Sequence, residues 1–411
     1  MAGNFGKGYQ MKKWLLVTAL MVLCLALFVG TACGGEEEED EGVTELKIGV
    51  GLPMTGVYGS MVGVPAKNAW SLAIEHIGEF TVGGEQYHLK LIFENNEFSS
   101  AGGMASATKL ITEHDVKFMH QATASPGLAA EAICKEKGIL LDISAADPEH
   151  FTRDTPQFFQ TAANWAINIP PFFDWLSKEH PEVKRLAYCA PDDSTGWAIA
   201  DAGEAAAAYY GIEIVAPEFY PIETVEFYPV ATSIMASDPD LAMVLPSVAD
   251  ILWDMGYEGL CANPYWMPSD AEAVGWDKCQ GYLIMMPLPV GGLWPEAEAL
   301  NAEFKDRYGV ELTTAPSAFW GVNILYVLTD VFRQAGTVDD LDKIIETMET
   351  GSFDSLVGPI SYGGEVLNGI GHLAIWPSPI YEVVGENEYQ VIDLYTVEET
   401  EAIVNKVYGA E

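Results

Sequence analysis

The chain has 411 residues, about half of them apolar, which is enough for one large core or two of ordinary size and too apolar for a disordered chain. Sixty acidic residues against twenty basic ones leave a formal charge of −40, which repels nucleic acid and anionic headgroups and excludes DNA and RNA as partners. The surplus reads as solubility rather than as a cation site.

Met11-Lys12-Lys13 give the N-terminal region a positive end, and Trp14 to Val29 are apolar apart from Thr18. The run is shorter than the roughly 20 residues a spanning helix needs. It ends in Gly30-Thr31-Ala32-Cys33-Gly34-Gly35, and small residues before a cysteine resemble the bacterial lipobox. The resemblance implies a lipoprotein signal peptide over 1–33, with Cys33 lipidated and anchoring the protein to the membrane. Gly30 stands where a lipobox usually has leucine, and an uncleaved anchor from Trp14 to Ala32 is the alternative. Both place the rest of the chain outside the membrane, at the cell surface or in the periplasm, because the lysines precede the apolar run. Residues 34–44 form an acidic tether whose charges, Glu36 to Glu41, repel one another.

From Glu45 on, strands alternate with helices. Leu46 to Leu52 is strand-like, and Ala69, Trp70, Ala73, Ile74 and Ile77 fall on one helical face. Strands follow at His88 to Phe93, Val116 to His120 and Ile139 to Ile143, with helices at Ala105 to Ile111 and Leu128 to Lys137. The rhythm restarts with a helix from Pro170 to Lys178, a strand from Arg185 to Cys189, an alanine-rich helix from Ala198 to Tyr210 and a strand from Ile212 to Val215. Val225 to Met235, Leu241 to Leu245, Ala249 to Met255 and Tyr282 to Met286 continue it. The long helices Glu296 to Tyr308 and Ala318 to Gln334 suggest a return to the first unit. The pattern predicts an α/β fold of two Rossmann-like lobes with parallel sheets.

Six cysteines are present, and Cys24 and Cys33 belong to the signal. Among Cys134, Cys189, Cys261 and Cys279, an exported chain can form disulfides, and Cys261 with Cys279 is the first choice because both flank predicted strand starts. Buried thiols are the other reading. With no Cys-x-x-Cys and seven scattered histidines, no metal and no cofactor is expected.

Several stretches resemble the branched-chain amino acid type of periplasmic binding protein: Leu46 to Gly56, Tyr87 to Asn95, Gly138 to Leu141 leading to Asp147-Pro148-Glu149, Ala190 to Gly196, and Val357 to Tyr362, which is similar to the family's third crossover. The resemblance runs from about Glu45 to Asp393. It implies a type I fold with two lobes joined by a three-strand hinge, over 45–162 plus 288–362 and 163–287 plus 363–411. It also implies a cleft that closes on a ligand and, as partners, the permease subunits of an ATP-driven (ABC) importer.

Loops at the carboxyl ends of the strands line such a cleft. In the family, a serine after the second of them holds a ligand carboxylate, and here the loop carries Thr123, Ala124 and Ser125. Ser125 can donate to an anion at a helix N-terminus, or it is a plain N-cap followed by Pro126. The next loop offers Ala145 and Ala146, and Ser247 follows a second-lobe strand. The family's amino-acid subset holds the ligand ammonium with a threonine, a tyrosine and a glutamate. Here those positions fall on Ala146, Thr195 and the stretch around Pro264 to Trp266. A buried ammonium without a carboxylate costs several kcal/mol, which argues against an α-amino acid. Aromatic residues replace the missing groups: Tyr58, Trp197, Tyr265 and Trp266, with Trp320 placed equally in core or site. Asp270 reads as a solvated loop acid. The ligand expected is an aromatic or alkyl carboxylate.

An enzyme is disfavoured. Gly49-Val50-Gly51-Leu52-Pro53-Met54 lacks the last glycine of a dinucleotide loop, Thr123 to Gly127 lacks the first glycine of a nucleophile elbow, and no histidine falls at a relay position. A ligand-sensing ectodomain of the same fold, or an amino-acid binder of the same importer class, are the alternatives.

Overall fold

A computed structural model describes residues 42–409 apart from 145, 146, 222 and 315. The expectations for the signal, for Cys33 and for Ala145 and Ala146 lie outside the described residues.

The first sheet is built from β1 (Val43–Leu52), β2 (Glu79–Val82), β3 (Glu85–Asn95), β4 (Phe118–Gln121), β5 (Leu140–Ile143) and β6 (Phe158–Phe159), in the order β2-β3-β1-β4-β5-β6. β1, β4, β5 and β6 pair in parallel, and β2 and β3 form an antiparallel hairpin. Phe118 and Met119 point to opposite faces of β4 and are both buried, the pattern of a sheet covered on both sides. Close approach needs glycine at two places. A Cβ on Gly103, in the helix Ser100–Thr112, would lie 2.3 Å from Pro126 Cα in the helix Ala124–Lys137. A Cβ on Gly321, in the helix Pro316–Ala335, would lie 1.8 Å from Trp70 Nε1 in the helix Val64–Ile77.

The second sheet takes β7 (Arg185–Pro191), β8 (Glu213–Tyr220), β9 (Leu241–Met243), β10 (Leu260–Asn263) and β11 (Leu283–Ile284). A small antiparallel sheet follows, made of β12 (Ser352–Ser355), β13 (Gly358–Gly363) and β14 (Leu373–Ile375). The hairpin β15 (Ser378–Gly385) and β16 (Glu388–Tyr395) then completes the second sheet, in the order β16-β15-β11-β10-β9-β7-β8. The helices Pro295–Tyr308 and Pro316–Ala335 pack on Val64–Ile77, so the chain returns to the first unit as the sequence suggests.

The chain passes between the sheets after β6, after β11 and between β14 and β15. The Val357 to Tyr362 stretch, expected to be the third crossover, is instead β13 of the small sheet, and Trp376 lies on the passage itself. Two of the passages are stitched together. Trp376 Nε1 donates to Thr161 O at 2.9 Å, Thr161 Oγ1 lies 2.8 Å from Tyr362 OH, and Gln160 bridges Leu373.

All four cysteines among the described residues are free and buried, so the expected Cys261–Cys279 pair is not bonded. Burial pushes the Cys261 thiol up to about 12 and that of Cys279 to about 11, and the Trp253 side chain hydrogen-bonds to Cys261. Both sit in the core as protonated thiols, the alternative the sequence left open. Among the described residues no helix is long and apolar enough to cross a membrane.

Candidate functional site

The loops after β1, β4 and β5 leave the carboxyl edge of the first sheet side by side, and two asparagines fix them. Asn96 Nδ2 donates to Gly51 O and Ala122 O, both at 3.1 Å, tying the end of β1 to the loop after β4. Asn95 Oδ1 accepts from Met54 N at 2.8 Å. Tyr58 lies flat on Phe98, with ring centroids 4.1 Å apart.

The helix after β4 starts at Ala124, so its N-cap is Thr123 and not Ser125. Ser125 is an exposed second residue of the helix and Pro126 its third, which removes the plain N-cap reading. Thr123 has φ +76° and ψ 154°, a conformation a β-branched residue adopts only under strain. Its Oγ1 is buried and makes no hydrogen bond, neither capping the helix nor meeting a neighbour. Thr123 thus combines a strained backbone and an orphaned hydroxyl at a helix start whose first amides have no intrahelical acceptor.

Behind that loop stands a chain of polar groups. His120 Nδ1 lies 2.6 Å from Asp142 Oδ2, Asp142 Oδ1 accepts Thr161 N–H at 2.7 Å, and Ser144 Oγ is 3.5 Å from His120 Nε2. No histidine is expected at a relay position from residue spacing, and His120 takes one only because the register of β4 on β5 sets it opposite Asp142.

On the second lobe, Asp193 caps the helix Ser194–Tyr210 by accepting from Gly196 N at 2.9 Å, which leaves Thr195 half-buried in its first turn. Trp197 is 52% exposed and its Nε1 donates to Asp192 at 3.0 Å. Ser247 is half-buried near the start of the helix Pro246–Asp254. Trp266 is a correction. It is fully buried, its Nε1 donating to Tyr389 OH at 3.2 Å and its ring packed against Trp276 and Tyr282, because the hairpin β15–β16 covers it. Tyr265 turns the other way. Its ring meets Trp165, which meets Trp320, in edge contacts of 6.2 and 6.0 Å that join the two lobes. Trp320 is 7% exposed, yet its Nε1–H has no partner.

Asp270 is not the solvated acid the sequence suggests. It lies in the first turn of the helix Pro268–Val274 over the carboxyl edge of the second sheet, and burial pushes its carboxyl up to about 6. A raised folded value means that stability present below the unfolded value is lost as pH rises through about 6. Asp270→Asn is therefore expected to raise the urea midpoint near pH 8 by the equivalent of about 1–2 kcal/mol, with the gain fading towards pH ~4. A gain that stays constant with pH would mean that the charge is not the cause.

The sequence assigns no metal. The structure gathers Asp147, Glu149 and His150 with ligand atoms within 4.8 Å of one another, but within a single turn, so the cluster follows from local chain geometry.

Residues 45–386 match the family model described as periplasmic binding protein. No curated protein sequence matches the chain. Among solved structures, the chain is similar to a branched-chain amino acid ABC transporter periplasmic ligand-binding protein from Burkholderia xenovorans LB400, at 16% identity and TM-score 0.71 over 86% of this chain and 96% of that one. It is also similar to a leucine-binding protein from Thermotoga maritima MSB8, at 19% identity and TM-score 0.66 over 85% and 99%. A solute-binding protein of an ABC transporter from Rhodopseudomonas palustris BisB5, in complex with 3,4-dihydroxybenzoic acid, matches at 20% identity and TM-score 0.69 over 86% and 98%. These likenesses are of fold, and they agree with the two-sheet architecture and its small third sheet. With the family model covering most of its length, the chain belongs to the periplasmic binding protein family, whose members hold solutes and do not transform them.

Proposed function

We propose that the chain is the extracytoplasmic solute-binding subunit of an ABC importer, that it captures a small aromatic or alkyl carboxylate between its lobes, and that Cys33 carries a lipid anchor. The observation that carries the ligand class is Thr123, whose strained backbone and unpaired hydroxyl precede the helix Ala124–Lys137. Strain of about 1–3 kcal/mol persists where the surroundings enforce it, and a binding site gives it a use. Trp165, Tyr265 and Trp320 supply ring faces and a free N–H for the rest of the ligand. The benzoate-type ligand of the Rhodopseudomonas relative is consistent with this class. The permease partner rests on the family and on the ABC transporter relatives.

A second reading, an α-amino acid, has one observation in its favour. Asp270 is a half-buried carboxylate with no hydrogen bond among the described side chains, and it could meet an ammonium. A thermal-shift series on the purified full chain separates the two. Phenylacetate and hexanoate are expected to raise the melting temperature while phenylalanine and leucine leave it unchanged, because only a ligand of the folded state stabilises it. Thr123→Val, which removes the hydroxyl and keeps the shape, is expected to weaken carboxylate binding about tenfold, roughly 1.4 kcal/mol. Stabilisation by the amino acids alone would overturn the reading.

A further inference from the structure

We infer that Ser144 is a further ligand contact, with its hydrogen-bond polarity set by His120 and Asp142, and that it selects carboxylates bearing a neutral hydroxyl next to the acid group. This rests on the cleft being a carboxylate site, as proposed above.

His120 and Asp142 are register partners on the parallel strands β4 and β5, so their side chains share a face, and Ser144 follows on that face two residues later. The Asp142 carboxylate accepts on both oxygens, from Thr161 N–H at 2.7 Å and from His120 Nδ1 at 2.6 Å. A carboxylate cannot donate, so Nδ1 carries a hydrogen, and wherever the imidazole holds only that one, Nε2 is an acceptor. Ser144 Oγ lies 3.5 Å away, at the outer limit of a hydrogen bond, and is the donor of that contact when Nε2 accepts. Its lone pairs are what remain for a ligand.

The ring is held in this order, since turning it would give up the 2.6 Å contact with Asp142. It is 5% exposed, it packs against Trp70 at 5.1 Å, and a cavity of about 30 Å³ behind it is lined by Thr161, Tyr362 and apolar side chains, with Asp142 the one acid among them. The backbone holds Ser144 near the anion loop, since Ser144 N donates to Gln121 O at 3.3 Å, two residues before Thr123. A ligand whose acid group meets the Thr123 loop would therefore place an adjacent atom near Ser144.

A ligand carboxylate oxygen facing the Ser144 lone pairs would be repelled, whereas a hydroxyl beside the acid group would donate to them. An ammonium in the same place would want a charged partner, which Ser144 is not. In hydrolases the same three residue types activate a serine for attack. In this binding protein the arrangement fixes which way a hydroxyl points.

The test is calorimetric titration of the full chain with two matched pairs, phenylacetate against mandelate and hexanoate against 2-hydroxyhexanoate. The wild type is expected to favour the hydroxy acid of each pair about tenfold, and Ser144→Ala to erase the preference. Asp142→Asn is the sharper variant. The asparagine oxygen still accepts from Thr161 N–H, but its amide donates to His120 Nδ1, which moves the ring hydrogen to Nε2 and makes Ser144 a donor to the ligand. Ser144 then favours an acceptor, so phenylglyoxylate, whose keto oxygen can only accept, is expected to gain on mandelate relative to the wild type, which a merely structural role would not produce. Binding of the acids with no hydroxyl preference, or a preference that survives in both variants, would overturn the inference alone. Failure of all four acids to bind would overturn the carboxylate reading and the inference with it.

Discussion

Trp376→Ala is expected to cost about 4 kcal/mol of folding stability, read as a large fall in the urea midpoint, because a fully enclosed tryptophan leaves both lost transfer energy and a cavity. Trp376 has no exposed surface, and it lies on the passage from β14 to β15. Its indole N–H also satisfies Thr161 O, a backbone acceptor on the first passage between the sheets. Trp376→Phe keeps most of the packing and loses the donor, so it should cost about 1–2 kcal/mol. The difference between the variants separates packing from the hydrogen bond. Equal midpoints for the alanine variant and the wild type would mean that the passage is not anchored as described.

Gly321→Ala should cost about 3 kcal/mol even though alanine is the better helix former. The added Cβ would lie 1.8 Å from Trp70 Nε1, and Trp70 is 1% exposed with its ring against His120, so it has nowhere to retreat. The check is a double-mutant cycle. In a Trp70→Leu background the cost of Gly321→Ala should fall below about 1 kcal/mol, a coupling of about 2 kcal/mol between directly touching residues. Additive costs would place the strain elsewhere.

Much of the fold was legible because the central strands carry their own signal. Leu46 to Leu52, Ile139 to Ile143 and Arg185 to Cys189 are apolar runs bounded by turns, and the structure makes strands of all three. The hairpin β15–β16 was missed. β15 opens with Ser378-Pro379 and β16 alternates as a half-exposed edge strand with Glu388 and Asp393, so neither reads as an apolar run. That omission also misplaced Trp266, whose burial depends on Tyr389 from the hairpin. Thr123 and Ser125 are candidates by their place before a helix, but which of them caps it depends on a positive φ that no pattern of residue types reveals. Ser144 was invisible for a different reason: its partner His120 becomes its neighbour only through strand register.

The hairpin also bears on how the molecule assembles. β15 pairs with β11, as in Leu283 with Glu382, across a stretch of chain that contains every helix from Pro295 to Thr350. Two of those helices, Pro295–Tyr308 and Pro316–Ala335, in turn pack back onto Val64–Ile77, made before the second sheet begins. Neither lobe is therefore a contiguous piece of sequence that can fold ahead of the other, and high contact order of this kind slows folding. Acquisition of structure is expected to be late and concerted across both lobes, leaving a nascent chain extended for longer than a protein whose domains follow one another in sequence.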